Sequence, residues 1–183
     1  MKLFRRHTAP TAGLGTDGLL LPQRYWAILA SALGITLAVL DGTMINVALP
    51  VVARDLGLTP AASIWIVNAY QVALAVALLP MASLGDIFGY RTVYRAGLLL
   101  FAFTSLACAL ADSLLTLALA RLLQGLAAAG IMSVNTALLR FIYPYRLLGR
   151  GIGLNSLVVA VSMALGPSVA AGMLAIADWP WLF

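Results

Sequence analysis

Two charged residues stand inside long apolar runs of this sequence, and they are the side chains best placed to do chemistry. Asp41 lies within the run 25–49 and Arg121 within the run 113–141. On insertion scales a carboxylate or guanidinium in hydrocarbon costs on the order of 3 kcal/mol, so such residues face a protein interior or a watery cavity. Asp41 is about eight residues from the far end of its run and Arg121 about eight residues into its own. At about 1.5 Å per residue both reach a depth of roughly 12 Å. Opposite charges at one depth in neighbouring helices can neutralise each other, or trade partners with a proton. A carboxylate that water reaches first from one side and then from the other could bind and release a proton. Asp41 and Arg121 are therefore the candidate proton-coupling pair. The alternatives are a purely structural ion pair and a guanidinium bonded to backbone carbonyls of the first helix.

Other residues fall into patterns that could face a solute. Arg121, Gln124, Ala128, Met132 and Asn135 recur at helical spacing and make one polar-to-small stripe. Trp65, Asn68 and Gln71 make another. Both are candidate cavity walls, with polar contacts between helices as the alternative. Thr36 and Thr43 fall on a different face from Asp41, so the three cannot line one narrow pore. Asp86 lies in Leu84-Gly-Asp-Ile-Phe-Gly-Tyr-Arg91, where two glycines permit a tight turn and an aspartate with a nearby arginine can bridge helix ends. The small residues around Ser162, Gly166, Ala170, Ala171 and Gly172 would let two helices approach backbone to backbone, and Pro167 would bend the helix that carries them.

These residues must be positioned by membrane-spanning helices. The chain is 63% hydrophobic and only 9% charged, where soluble domains run at about 25% charged. Five apolar runs, at about 25–49, 61–84, 92–111, 113–141 and 150–177, are each long enough to cross a hydrocarbon core as a helix. The expected fold class is thus an all-α membrane protein with five transmembrane helices. Residues 1–24 read as a polar tail and 25–183 as one domain; residues 178–183 read as the start of a sixth helix, which makes a truncated chain the expectation. Nine of the eleven basic residues fall on one side if the tail is cytoplasmic, an asymmetry that favours this orientation in a multi-pass membrane protein. The same placement explains the pI of 9.9 without nucleic acid. The first apolar run is too long and too late for a cleaved signal peptide. A single cysteine, Cys108, excludes a disulfide within the chain, and the single histidine, His7, lies in the tail, which excludes a Ser–His dyad or bis-histidine haem site inside the membrane.

A weak internal repeat runs through the domain. Asn46-Val-Ala-Leu49 echoes Asn135-Thr-Ala-Leu138, and the Leu-x-Pro80-x4-Gly85 pattern echoes Leu-x-Pro167-x4-Gly172, at offsets of 89 and 87 residues. The first helix would then correspond to the fourth and the second to the fifth, as in three-helix inverted repeats.

Taken together, these motifs resemble the major facilitator superfamily, and specifically its drug:proton antiporters with fourteen transmembrane helices (the QacA/EmrB type). Leu40-Asp-Gly-Thr-Met-Ile-Asn-Val-Ala-Leu-Pro50 looks like the family's first-helix signature at Asp41, Thr43, Asn46, Ala48 and Pro50. Trp65-Ile-Val-Asn-Ala-Tyr70 and Pro80 resemble its second helix, and Arg121-x2-Gln124-Gly125 its fourth. Residues 82–94 correspond to the loop motif through Asp86, Gly89 and Arg91, and Gly166, Pro167 and Gly172 to the antiporter motif of the fifth helix. The loop motif departs from the family pattern at Ala82, Ile87 and Tyr90, which weakens its charge network, and Ala170 and Ala171 replace glycines.

The resemblance implies that the chain is part of the N-terminal six-helix bundle of a transporter in a cell membrane, most readily the bacterial inner membrane. It implies proton-coupled export of lipophilic or cationic small molecules, with no cofactor beyond the proton gradient and with protons, substrate and membrane lipids as partners. Asn46 joins Trp65, Asn68, Gln71, Gln124, Met132 and Asn135 as candidate cavity residues. The competing expectations are a metabolite transporter of the same superfamily and a membrane fragment that transports nothing.

Overall fold

The computed structural model describes residues 18–19 and 21–183. Lys2, Arg5, Arg6 and His7 lie outside the described residues. Five long helices account for nearly all of the rest: α1 (Leu21–Asp55), α2 (Pro60–Phe88), α3 (Tyr90–Ala109), α4 (Leu114–Ile142) and α5 (Leu148–Leu174). All five are long and apolar enough to cross a membrane.

The helix ends follow local chemistry. Thr59 caps α2, its hydroxyl accepting the Ala62 N–H at 3.3 Å, and Pro60 takes the first helical position, where a missing N–H costs nothing. Only Gly89 separates α2 from α3. Its φ of +89° is open to glycine and strained for other residues. A reciprocal capping box starts α4: Ser113 Oγ accepts the Thr116 N–H and Thr116 Oγ1 accepts the Ser113 N–H. A 3-10 turn at Tyr145–Leu147 leads into α5, and a second at Trp179–Leu182 stands where the start of a sixth helix was expected.

The first helix differs most from the sequence expectation. It begins at Leu21, so residues 21–24 are helical rather than tail, and it runs past Pro50 to Asp55. The apolar run had been expected to end at Leu49, just before Pro50. An interior proline removes one intrahelical hydrogen bond, and membrane helices tolerate that loss; α2 and α5 likewise run through Pro80 and Pro167. The segment expected to connect the first two spans from Pro50 onwards shrinks to residues 56–59.

Helix α4 is the most enclosed of the five and α5 the least. Helix α4 packs chiefly on α2 and α3, while α1 packs chiefly on α5. Small residues set these distances. A Cβ on Gly125 would strike the Tyr70 carbonyl and the Ala73 Cβ of α2, and Gly130 of α4 lies against the Gly97 Cα of α3. The polarity of the bundle is inverted relative to a soluble protein. Leu79, Leu110, Trp26 and Ile176 are exposed, whereas Arg121, Gln124 and Asn135 are completely buried, as expected of a bundle whose outer solvent is lipid.

The contact pattern has the symmetry of the sequence repeat. Exchanging helices one and four, and two and five, turns the α2–α4 pair into the α1–α5 pair. Both pairs touch through small or hydroxyl residues: Gly125 of α4 closes on Ala73 of α2, and Ser162 Oγ of α5 donates to Thr36 Oγ1 of α1 at 3.3 Å.

Candidate functional site

The buried polar centre lies where α1, α2, α3 and α4 meet. Asp41 and Arg121 form a salt bridge, with Arg121 Nη1 at 2.6 Å from Asp41 Oδ2. The same Nη1 donates to Gln124 Oε1 at 2.8 Å. Gln124 turns its amide nitrogen back, donating to Asp41 Oδ1 at 3.2 Å and to Ser105 Oγ at 2.8 Å. Cys108 donates its thiol to Gln124 Oε1 at 3.4 Å. Each carboxylate oxygen of Asp41 thus has a donor, one charged and one neutral.

Aromatic rings hold the guanidinium in place. The Arg121 Cζ lies 4.3 Å from the Tyr70 ring centroid and 5.6 Å from that of Phe183, both within cation–π range. Tyr70 is itself fixed, its hydroxyl donating to the Ala38 carbonyl at 3.1 Å. Two N–H vertices of Arg121, at Nε and Nη2, have no hydrogen-bond partner among the described residues. A buried guanidinium with free donors gains strongly from any acceptor that arrives. The centre is therefore held by one strong ion pair and has unused hydrogen-bonding capacity directed from its cation.

The helical register explains the convergence. Arg121 and Gln124 are one turn apart on α4, and Ser105 and Cys108 one turn apart on α3, so each helix presents two polar groups on one face. The sequence reading singled out Asp41, Arg121 and Gln124 but gave no site role to Tyr70 or Ser105. A signal for Tyr70 existed: it shares a face with Ile66, Ala73 and Ala77, and all four are buried. Ser105 carried none beyond being a hydroxyl in an apolar run.

The remaining candidates divide into three groups. Asn135 does not line an open cavity: it is fully buried, takes a hydrogen bond from Ser31 of α1, and donates to Asn155 of α5 at 2.8 Å. It joins three helices, as the alternative of polar contacts between helices anticipated. Gln124 likewise belongs to the core rather than to an open wall, and Met132 packs beside the apolar core at the basic end. Asn46, Trp65, Asn68 and Gln71, by contrast, are exposed on α1 and α2, where a solute or another helix can reach them. Asn46 bonds only to backbone carbonyls of its own helix, at Gly42 and Thr43.

The loop motif is wired differently from the expectation. Asp86 accepts a hydrogen bond from the Tyr90 hydroxyl rather than pairing with Arg91, because Tyr90 opens α3 directly after Gly89 and stands one turn beyond Asp86. Arg91 instead lines a groove with Arg95 and Gln23. In the fifth-helix motif, Ser162, Gly166 and Ala170 are the buried face against α1, and a Cβ on Gly166 would fall on the Thr43 side chain. Gly172 has nothing within 4 Å of where its Cβ would lie, so it takes no part in this packing. Thr36 and Thr43 contact α5 while Asp41 contacts α4, consistent with their different faces. Among the described residues no three His, Cys, Asp or Glu side chains gather as a metal-ligand set.

The sequence profile described as the Major Facilitator Superfamily matches residues 31–183. The chain is 60% identical over 167 residues to "Uncharacterized transporter YebQ" of Escherichia coli (strain K12), covering 91% of this chain and 36% of that protein. It is 35% identical over 178 residues to the "Tetracenomycin C resistance and export protein" of Streptomyces glaucescens, covering 97% of this chain and 33% of the relative. The chain thus spans about a third of the length of these curated relatives. A crystal structure of a bacterial homolog of the human lysosomal transporter Spinster, inward-facing and unoccupied, superposes with a TM-score of 0.69 at 22% identity, over 83% of this chain and 31% of that one. That likeness supports the fold.

Proposed function

The chain belongs to the major facilitator superfamily, and from that premise we propose that it works as part of a proton-coupled antiporter that exports lipophilic or cationic compounds. The observation that carries the proposal is the buried Asp41–Arg121 pair, with Gln124 bridging it and two guanidinium N–H groups without a partner among the described residues. A superfamily transporter has no need of an enzyme's machinery. It needs a group whose protonation changes which helices hold together.

Asp41 is that group. In its charged form it binds Arg121 and Gln124 and ties α1 to α4. A proton on either carboxylate oxygen removes the charge that holds Arg121. The carboxylic O–H can then donate to Gln124 Oε1, and the guanidinium turns to other acceptors through Nε and Nη2. Tyr70 limits how far it moves by keeping the cation over its ring. Breaking and remaking a bond between α1 and α4 couples a proton to the relative position of these helices, the kind of motion by which bundles rock around a fixed site.

The drug-export reading is supported by the resistance and export role named for the Streptomyces relative and by the exposed Asn46, Trp65, Asn68 and Gln71, an indole and three amides that a solute can reach. The substrate would lie between these helices and the two thirds of the protein that the relatives have in addition. We place the tail end in the cytoplasm on the basic asymmetry, in a bacterial inner membrane.

The test fuses this chain in frame to the remainder of the Escherichia coli relative and follows efflux of a fluorescent lipophilic cation driven by an imposed proton gradient. Asp41→Asn should abolish gradient-driven efflux with normal expression, and Asp41→Glu should keep part of it. Arg121→Lys should be milder than Arg121→Ala. Undiminished gradient-driven efflux by Asp41→Asn would rule the pair out as the coupling site.

A further inference from the structure

A concentration of uncompensated charge lies away from the buried pair. A groove of about 290 Å³ opens between the start of α1, the start of α3 and the end of α4. Arg91 and Arg95 stand one turn apart on α3 and share a face; both are exposed, both line the groove, and Gln23 of α1 lines it with them. Neither arginine forms an ion pair among the described residues, where Asp41–Arg121 is the one salt bridge. The nearest acid in sequence, Asp86, is engaged by Tyr90.

The rest of the groove is mostly apolar. Leu138 and Phe141 of α4 form part of its wall, and Tyr94 lines it with its hydroxyl already donated to the Ala30 carbonyl at 2.9 Å. The occupant that fits must offer an anion to two guanidinium forks and an apolar chain to α4. The arginines lie in the first two turns of a membrane-length helix, the depth at which lipid headgroups sit. Guanidinium groups bind phosphate oxygens through paired N–H donors. A free phosphate would leave the apolar wall unused. A zwitterionic headgroup would bring an ammonium that two uncompensated arginines repel.

We propose that this groove is a binding site for an anionic phospholipid, with Arg91 and Arg95 holding the headgroup phosphate and Leu138 and Phe141 receiving the start of an acyl chain. The site is separate from the Asp41–Arg121 centre and does not depend on the transport reading.

The test uses the 183-residue chain in mild detergent, with lipid retention read by native mass spectrometry against phosphatidylglycerol and phosphatidylethanolamine. Removing both cations with Arg91→Gln and Arg95→Gln together should weaken phosphatidylglycerol retention about thirtyfold, about fivefold for each arginine. The paired Arg91→Lys and Arg95→Lys variant should recover most of it. Arg150→Gln, at the same end of the bundle but outside the groove, should change nothing, and millimolar inorganic phosphate should not displace the lipid. Three results would overturn the proposal: unchanged phosphatidylglycerol retention in the double glutamine variant, equal retention of phosphatidylethanolamine by the unmodified chain, or an equal loss in Arg150→Gln. Efficient displacement by inorganic phosphate would overturn it too, by reassigning the arginines to a free anion.

Discussion

Removing one member of the buried pair should cost far more than removing both. Asp41 and Arg121 approach to 2.6 Å with the guanidinium fully buried. Two unit charges about 4 Å apart interact by about 4 kcal/mol at an effective dielectric constant of 20. Deleting one partner forfeits that attraction and strands the other charge among α1, α2 and α4, a loss of about 3–5 kcal/mol for buried pairs. Arg121→Met leaves the Asp41 carboxylate with only the Gln124 amide. Asp41→Leu leaves the guanidinium with Gln124 and the Tyr70 ring. The double variant buries two apolar side chains of similar size and should return to within about 1–2 kcal/mol of the parent. The coupling energy from the cycle should be at least about 2 kcal/mol. The chain carries its own reporter, because Cys108 is the single cysteine and is completely buried; a thiol-reactive dye follows its exposure as detergent-solubilised protein is heated. The reasoning is refuted if each single variant costs under about 1 kcal/mol, or if the double variant is as unstable as the sum of the two.

Two further expectations address packing and orientation. Gly166→Ala places a methyl group on the Thr43 side chain and should destabilise by about 1–3 kcal/mol, whereas Gly172→Ala meets open space and should gain up to about 1 kcal/mol of helix propensity; the same Cys108 assay checks both, and equal effects would mean that α5 does not sit on α1 as described. Single cysteines at the exposed Asp112 and Tyr145, in a Cys108→Ala background, should differ in intact cells, with an impermeant thiol reagent labelling only the Asp112→Cys protein; labelling at Tyr145→Cys alone would invert the orientation.

The helices were legible because apolar runs of membrane length have few alternatives in lipid. Their ends were less so, since a proline that stops a helix in water can be carried inside a membrane span, as Pro50, Pro80 and Pro167 are. The charged pair was legible from cost: two ions within apolar runs had to meet something, and depth brought them together even though α1 extends six residues beyond the end expected at Leu49. The neutral members of the site, Gln124 apart, were not. Tyr70 and Ser105 carry no charge to betray them, and Asn135 has the same residue type and helical spacing whether it faces a cavity or, as here, joins three helices. The partner of Asp86 was not legible, because spacing along a turn does not say which of two adjacent residues, Tyr90 or Arg91, points back toward it.

The central claim is that Asp41 exchanges a proton and that its charge holds Arg121. Infrared difference spectroscopy of the chain in lipid, between about pH 5 and pH 9, tests it directly by reading the carbonyl band that only a protonated carboxyl group shows. The expected result is a buried-carboxyl band that changes with pH in the parent, is absent from Asp41→Asn, and shifts in Arg121→Met. A spectrum in which Asp41→Asn matches the parent at every pH would contradict the claim and leave the pair a structural bridge.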